Sequence, residues 1–271
     1  MKVFELLDIV DNLVPLQYAF EDDVVGITIG SKENTINGII VGHELDKSLL
    51  QYCKDENVNT IITYHPPSYK KIIDDDSTES LIPENITQKF IDNSMNVITL
   101  HTAQDVCVGG NADTLVELFN LSNTKIFAQT FDNFGAGRIG DIKSTTNEDF
   151  KRLVERKLNT NSIRTNEYFD QIEEIKKIAI LPGSGTQFID EVIEKVDVFI
   201  TGDISHRYLL KADDANVGLL QVGHITTEIP GMRKFVKNLN KALNQELKYL
   251  YKDYYEWTFS FKQFNRITRV R

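Results

Sequence analysis

Cysteine is nearly missing from this chain, with Cys53 and Cys107 the only two in 271 residues. Two thiols cannot build a disulfide scaffold, and a reduced, cytoplasmic compartment is the expectation that follows. Basic residues are in deficit: 30 Lys and Arg face 40 Asp and Glu, for a net charge of −10 and a pI near 5.1. A general nucleic-acid surface needs clustered cations, so nucleic acid is not expected as a partner. No apolar run approaches the roughly 18 to 20 consecutive residues of a membrane span, so no membrane association is expected either. At the N-terminus, Phe4-Glu5-Leu6-Leu7-Asp8-Ile9-Val10-Asp11 breaks its apolar residues with acids and does not read as a signal-peptide core. What remains is 41% hydrophobic and 26% charged. That is the balance of a globular protein with one large domain or two smaller ones.

Apolar β-rich runs alternate with helical patterns, the signature of α/β layering with mostly parallel sheets flanked by helices. Leu6, Leu7, Ile9, Val10, Leu13 and Val14 fit one face of a first helix. Strands are expected at 38–42, 58–63, 96–100, 177–181, 197–200 and 217–222, with helices over 46–56, 111–119 and 186–195. A long helix is expected from about Glu228 to Leu247, with Pro230 in its first turn, where proline is tolerated. The polar segment from Lys70 to Glu84, with Asp74-Asp75-Asp76, reads as an exposed loop. Between Ser122 and Glu174 the pattern is harder to read, although the glycines of Phe134-Gly135-Ala136-Gly137-Arg138-Ile139-Gly140 favour a turn or strand–turn element over a helix.

The position of the histidines carries more information than their number. All five fall just beyond an apolar strand: His43, His65, His101, His206 and His224. In open α/β sheets ligands bind outside the carboxyl ends of strands, where loops converge. Any single histidine there is more often a satisfied structural one; five of five point to a site. Two have a carboxylate four residues on, His101 with Asp105 and His224 with Glu228. That spacing puts both groups on one face of a helix or one side of a tight turn. Imidazole with carboxylate is a ligand set for zinc, iron or manganese. A pH-dependent His–carboxylate pair at a helix start is the plain alternative for either pair alone.

Other features are weaker. Pro182-Gly183-Ser184-Gly185-Thr186 joins a strand to a helix, where backbone N–H groups can cradle an anion. It lacks the Lys-Ser/Thr ending of a nucleotide-binding P-loop, and a tight turn explains it as well. Cys107 lies near Asp105 but reads as a small buried residue, and Cys53 as core. The aromatic and basic C-terminal stretch, from Tyr254 through Lys262, Arg266, Arg269 and Arg271, reads as a solvated end.

In order along the chain stand Tyr64-His65-Pro66-Pro67, Leu100-His101-Thr102-Ala103-Gln104-Asp105 with Gly109-Gly110-Asn111, Gly137-Arg138-Ile139-Gly140, Gly183-Ser184-Gly185, Thr201-Gly202-Asp203-Ile204-Ser205-His206 and Gly223-His224-Ile225-Thr226-Thr227-Glu228. This series resembles the NGG-interacting-factor-like family, also labelled type 2 GTP cyclohydrolase I, over nearly the whole chain. The resemblance implies a two-domain α/β protomer in a toroidal hexamer, with a dinuclear metal centre in each subunit facing the internal cavity. One domain would take 1–125 and 231–271 with His65, His101 and Asp105. The other would take 126–230 with the 183–186 loop, His206 and His224, and no third domain is inserted. Carried over by position, His65, Asp105, His224 and Glu228 match metal ligands. His101 matches a histidine suited to proton transfer, and His43 falls to a structural role. His206, Ser184 and Gly185 are expected at the substrate. Tyr64 stands where many members have a further histidine ligand. Its unperturbed pKa near 10 makes it a poor ligand at neutral pH. Of the one or two ions per chain, one is therefore expected to be held firmly and a second to be weaker, exchangeable or absent.

The function expected is a metal-dependent hydrolase acting on a small nucleotide-like or phosphorylated molecule, by cyclohydrolase or phosphoesterase chemistry. The rival is a non-enzymatic metal-delivery or scaffold protein of the hexamer type. A DNA-binding regulator is disfavoured by the acidic charge.

Overall fold

Short β-branched runs such as Ile39–Gly42, Thr60–Thr63, Asn96–Thr99 and Val198–Thr201 set many of the strands of this chain. The computed structural model describes residues 1–73, 79–252 and 266–269, and its elements divide into two units. One unit contains Met1–Ala103 and Val236–Tyr251, the other Gln104–Phe235.

The first unit is built on a six-stranded sheet ordered β1-β6-β3-β2-β13-β14. Its strands are β1 (Gly26–Ile29), β2 (Ile39–Gly42), β3 (Thr60–Thr63), β6 (Asn96–Thr99), β13 (Lys248–Tyr251) and β14 (Arg266–Arg269). The central four run parallel, while β1 and β14 close the edges antiparallel. Every residue of β2, β3 and β6 is buried, as expected of parallel strands covered on both faces. Helix α1 (Val3–Leu13) buries Val3, Leu6 and Val10. Helix α2 (Lys47–Asp55) starts where Asp46 accepts a hydrogen bond from the Leu49 N–H at 2.7 Å, a side-chain N-cap. Helix α3 (Asn85–Asp92) buries Phe90, which joins Ile40, Leu49, Cys53, Ile61 and Val97 in one core.

The segment expected as a loop from Lys70 to Glu84 is instead a hairpin of β4 (Tyr69–Ile73) and β5 (Glu79–Pro83), paired from Tyr69↔Pro83 to Ile73↔Glu79. Both strands are largely exposed, so no apolar alternation marked them in the sequence. The Asp74-Asp75-Asp76 run lies outside the described residues.

The second unit begins within α4 (Thr102–Val106) and includes α5 (Asn111–Phe119). Its sheet is ordered β7-β8-β10-β11-β12-β9. The stretch that resisted reading from 122 to 174 is a long hairpin, β7 (Ser122–Phe131) with β8 (Phe134–Thr145), then α6 (Asn147–Leu158) and the short edge strand β9 (Arg164–Thr165). Glycine is required inside β8 because a Cβ on Gly137 would run into the ring of Phe127 on the paired strand. Parallel pairing in this sheet belongs to β10 (Ile175–Leu181), β11 (Val198–Thr201) and β12 (Gly218–Gln221). The helix expected over 186–195 is shorter: a 3-10 turn over Thr186–Phe188 leads into α7 (Ile189–Val192). Helix α8 (His206–Asp214) follows β11, and α9 (His224–Leu243) follows β12. Because α9 starts four residues earlier than expected, Pro230 lies inside the helix rather than in its first turn, with no N–H to give to the ladder. Among the described residues, no helix is long and apolar enough to cross a membrane. The C-terminal expectations at 254–262 and at Arg271 fall outside the described residues; Arg266–Arg269 pairs with β13 as an edge strand.

Candidate metal centre

In the first unit β6, β3 and β2 are neighbours, and each runs on into a histidine at its carboxyl end. The sheet ladder does not stop where the strands do. The His65 N–H donates to the His43 carbonyl at 3.0 Å and the His101 N–H to the Tyr64 carbonyl at 2.9 Å. The backbone therefore sets the three imidazoles side by side, with ring centroids 5.2 Å apart for His43–His65 and 5.7 Å for His65–His101. Tyr64, only 1% exposed, lies 4.9 Å from both the His43 and His65 rings and 6.0 Å from His101. His43 is fully buried, with Nδ1 2.6 Å from the Tyr249 hydroxyl.

Two of these rings are backed by acids. His65 Nδ1 meets Glu44 Oε1 at 2.6 Å, and His101 Nδ1 meets Asp23 Oδ1 at 2.5 Å. A carboxylate facing Nδ1 favours the tautomer with its proton there and leaves the lone pair on Nε2. Asp23 also accepts from the Thr102 N–H at 3.0 Å and from the Thr102 hydroxyl. Burial works to raise the Asp23 pKa, but the hydrogen bonds from His101 and Thr102 outweigh it and hold the carboxyl below its usual value.

The second unit repeats the device at the ends of β10, β11 and β12. His224 opens α9 directly after Gly223, and its Nδ1 lies 2.6 Å from Asp203 Oδ2. One turn on, Glu228 is 1% exposed and puts Oε1 3.1 Å from His224 Nε2. Burial acts to lower the His224 pKa, but hydrogen bonds and charge from Asp203 and Glu228 carry it up to about 10. Two carboxylates set against one imidazole give this corner a field that favours positive charge.

Close packing shapes the walls. Gly183 adopts φ +66°, and a Cβ there would come within 2.6 Å of Glu228 Oε1. A Cβ on Gly202 would reach 2.6 Å from His224 Cα. Asp105, 7% exposed on α4, accepts from Asn111 Nδ2 at 2.7 Å. His101 precedes that helix rather than sharing a face of it, with φ +39°.

A family model described as Duf34/NIF3 (NGG1p interacting factor 3) matches residues 1–253. The chain belongs to the DUF34/NIF3 family. Among its relatives, a GTP cyclohydrolase 1 type 2 homolog of Clostridium acetobutylicum is 28% identical, over 90% of this chain and 92% of that protein. NIF3-like protein 1 of Drosophila melanogaster is 24% identical, over 90% and 84%. The solved structure described as reduced HcgD from Methanocaldococcus jannaschii superposes with a TM-score of 0.77 at 26% identity, covering 91% of this chain and 96% of that one.

In this NIF3-family chain the remaining expected site residues are placed as follows. Ser184 and His206 are exposed, His206 in the first turn of α8. The loop amides read as an anion cradle are engaged internally: Gly183 N–H donates to the Thr227 hydroxyl at 2.9 Å and Gly185 N–H to the Thr201 hydroxyl at 3.0 Å. Burial pushes the Cys107 thiol up to about 12, with the charges of Asp105 and Asp113 adding to it, so it stays protonated at neutral pH. The sequence reading missed the acids behind the imidazoles. Asp203 stood in the Thr-Gly-Asp motif and Glu44 beside His43, so both were within reach. Asp23 lies 78 residues from His101, and no spacing rule connects them.

Proposed function

We propose that this protein binds a divalent metal ion and works as a metal-dependent hydrolase on a nucleotide-like or phosphorylated small molecule. The proposed ligands are His65, Asp105, His224 and Glu228, and His43, whose ring centroid lies 5.2 Å from that of His65, is a further candidate donor. The observation that carries the proposal is the repeated carboxylate–imidazole arrangement at His65, His101 and His224. Such pairs orient metal-binding histidines and raise their basicity. Buried carboxylate next to imidazole suits zinc, iron or manganese. One ion is proposed to be held firmly, and Tyr64 leaves a second without a good ligand.

A divalent ion so held supplies Lewis acidity and brings the pKa of water toward neutrality. His101 is the proposed proton carrier: Asp23 takes its Nδ1 side, so Nε2 is the basic atom. His206, Ser184 and Gly185 are the proposed substrate contacts. The name GTP cyclohydrolase 1 type 2 homolog carried by relatives of this chain supports a nucleotide-related substrate, with attack at a ring carbon or at phosphorus. A homo-hexamer is proposed as the working assembly.

A second reading, a metal-delivery or scaffold protein without catalysis, is favoured by one observation. The Gly183 and Gly185 amides already serve threonine hydroxyls, which leaves the expected phosphate cradle with fewer donors.

Elemental analysis of protein purified without chelator or affinity-tag metal, then a screen of nucleotides, cyclic nucleotides and phosphoesters with the metal found, separates the two. Glu228→Gln should abolish metal-dependent turnover and leave the protein folded. Turnover retained in a verified metal-poor Glu228→Gln protein would sink the hydrolase reading; bound metal with no turnover on any class would favour the second.

A further inference from the structure

Asp105 has only two carboxylate oxygens, and one of them is held by a side chain with no other evident task. Asn111 is fully buried and aims its Nδ2 at Asp105 Oδ1, 2.7 Å away. The opposite end of the same amide is fixed, because Asn111 Oδ1 accepts from Gln104 Nε2 at 3.4 Å. Turning the amide over would set its oxygen against the Asp105 carboxylate, and two acceptors repel. From the other side α9 packs directly on Asn111 at Gly231, where a Cβ would come within 2.6 Å of the Asn111 Cα.

The turn from which Asn111 reaches is itself anchored to the sheet. Asp113 Oδ2 accepts the Gly109 N–H at 2.8 Å, and its Oδ1 accepts Arg138 Nε at 2.7 Å. Arg138, on β8, is 4% exposed and donates through Nη1 to the Gly135 and Gly137 carbonyls at 2.6 and 3.0 Å. An ion pair with a buried arginine and a half-buried aspartate is a poor choice for stability alone, since desolvation of the guanidinium offsets much of the attraction. It does fix a geometry. The side-chain amide oxygen Oε1 of Gln104, buried and without a hydrogen-bond partner among the described residues, also argues against a network arranged for stability only.

We propose that Asn111 is a positioning residue that aims the Asp105 carboxylate at the metal, and that Arg138 and Asp113 hold the first turn of α5 so that it can. This inference rests on the metal reading above. Outer-shell partners of metal ligands change affinity by about 10- to 100-fold when removed.

The test is a titration of metal-free full-length protein with Co²⁺ against a competing chelator, for wild type, Asn111→Leu and Asp113→Asn, with visible absorption of the bound Co²⁺ and melting of the metal-free form. Asn111→Leu is nearly isosteric and lacks the donor. It should weaken Co²⁺ binding by about 10- to 100-fold and alter the d–d absorption band. Asp113→Asn, at a partly exposed position, keeps a readable protein should the leucine variant not fold, and should show a smaller loss in the same direction. Wild-type Co²⁺ affinity and band shape in the variants that fold, even with lowered melting, would mark the network as structural and overturn the inference alone. No Co²⁺ binding by wild type would overturn the metal reading together with it.

Discussion

His101 sits at φ +39°, a region where residues other than glycine carry strain on the order of 1–3 kcal/mol. Asp23 is the restraint: it engages the imidazole, the next backbone N–H and the next hydroxyl together. An amide in its place can keep one of these bonds but cannot accept all three through two anionic oxygens. Asp23→Asn should therefore lower folding stability at pH 7 by about 1–3 kcal/mol, the range for hydrogen bonds to a charged group. The pH dependence has a definite sign. The folded Asp23 pKa lies below the ordinary value of 3.8, so its contribution is present above that value and lost as pH falls through the folded pKa. Urea titrations at pH 7 and pH 3 should show wild type and variant converging at the lower pH. An unchanged gap at pH 3 would contradict the account.

Among the elements, the β7–β8 hairpin tests close packing most directly. Gly137 faces the ring of Phe127 with no room for a methyl group, whereas a Cβ on Gly140 would meet Leu121 and Thr124 at 3.0 and 3.1 Å. Gly137→Ala should cost about 1–3 kcal/mol, the range for overpacking, and Gly140→Ala less; chemical denaturation midpoints measure the order. This hairpin also shows where the sequence was hard to read. Strands β2, β3 and β6 are wholly buried and announced themselves as continuous apolar runs. Strand β8 mixes glycines that serve packing with a buried arginine, and β4 and β5 have no buried face to imprint a period of two. His43, His65, His101 and His224 could be read as following strands because each lies within three residues of the end of β2, β3, β6 or β12, whereas His206 lies exposed in the first turn of α8. The start of α9 was not legible, because His224 reads as the last residue of a strand end until its i+4 partner is seen to share its helix. The acids behind the rings were only partly legible, since contact through space leaves no spacing in the chain.

At the scale of the whole molecule, the proposed hexamer should give a light-scattering mass near six times the 31.0 kDa of the chain. Elemental analysis of the same fraction should find about one firmly held ion per chain. Two tightly held ions would show that Tyr64 does not weaken the second position, and a monomeric mass would remove the hexamer from the proposal. The hydrogen bonds that carry the sheet past β3 and β6 into His65 and His101 have a consequence for how such a site can change over time. Its backbone is part of a folding unit, and its amides should exchange with deuterated solvent only when the sheet opens. Variation should thereby be channelled into side-chain replacement on a fixed frame, at position 64 for instance, while insertion and drift are left to segments such as the β4–β5 hairpin.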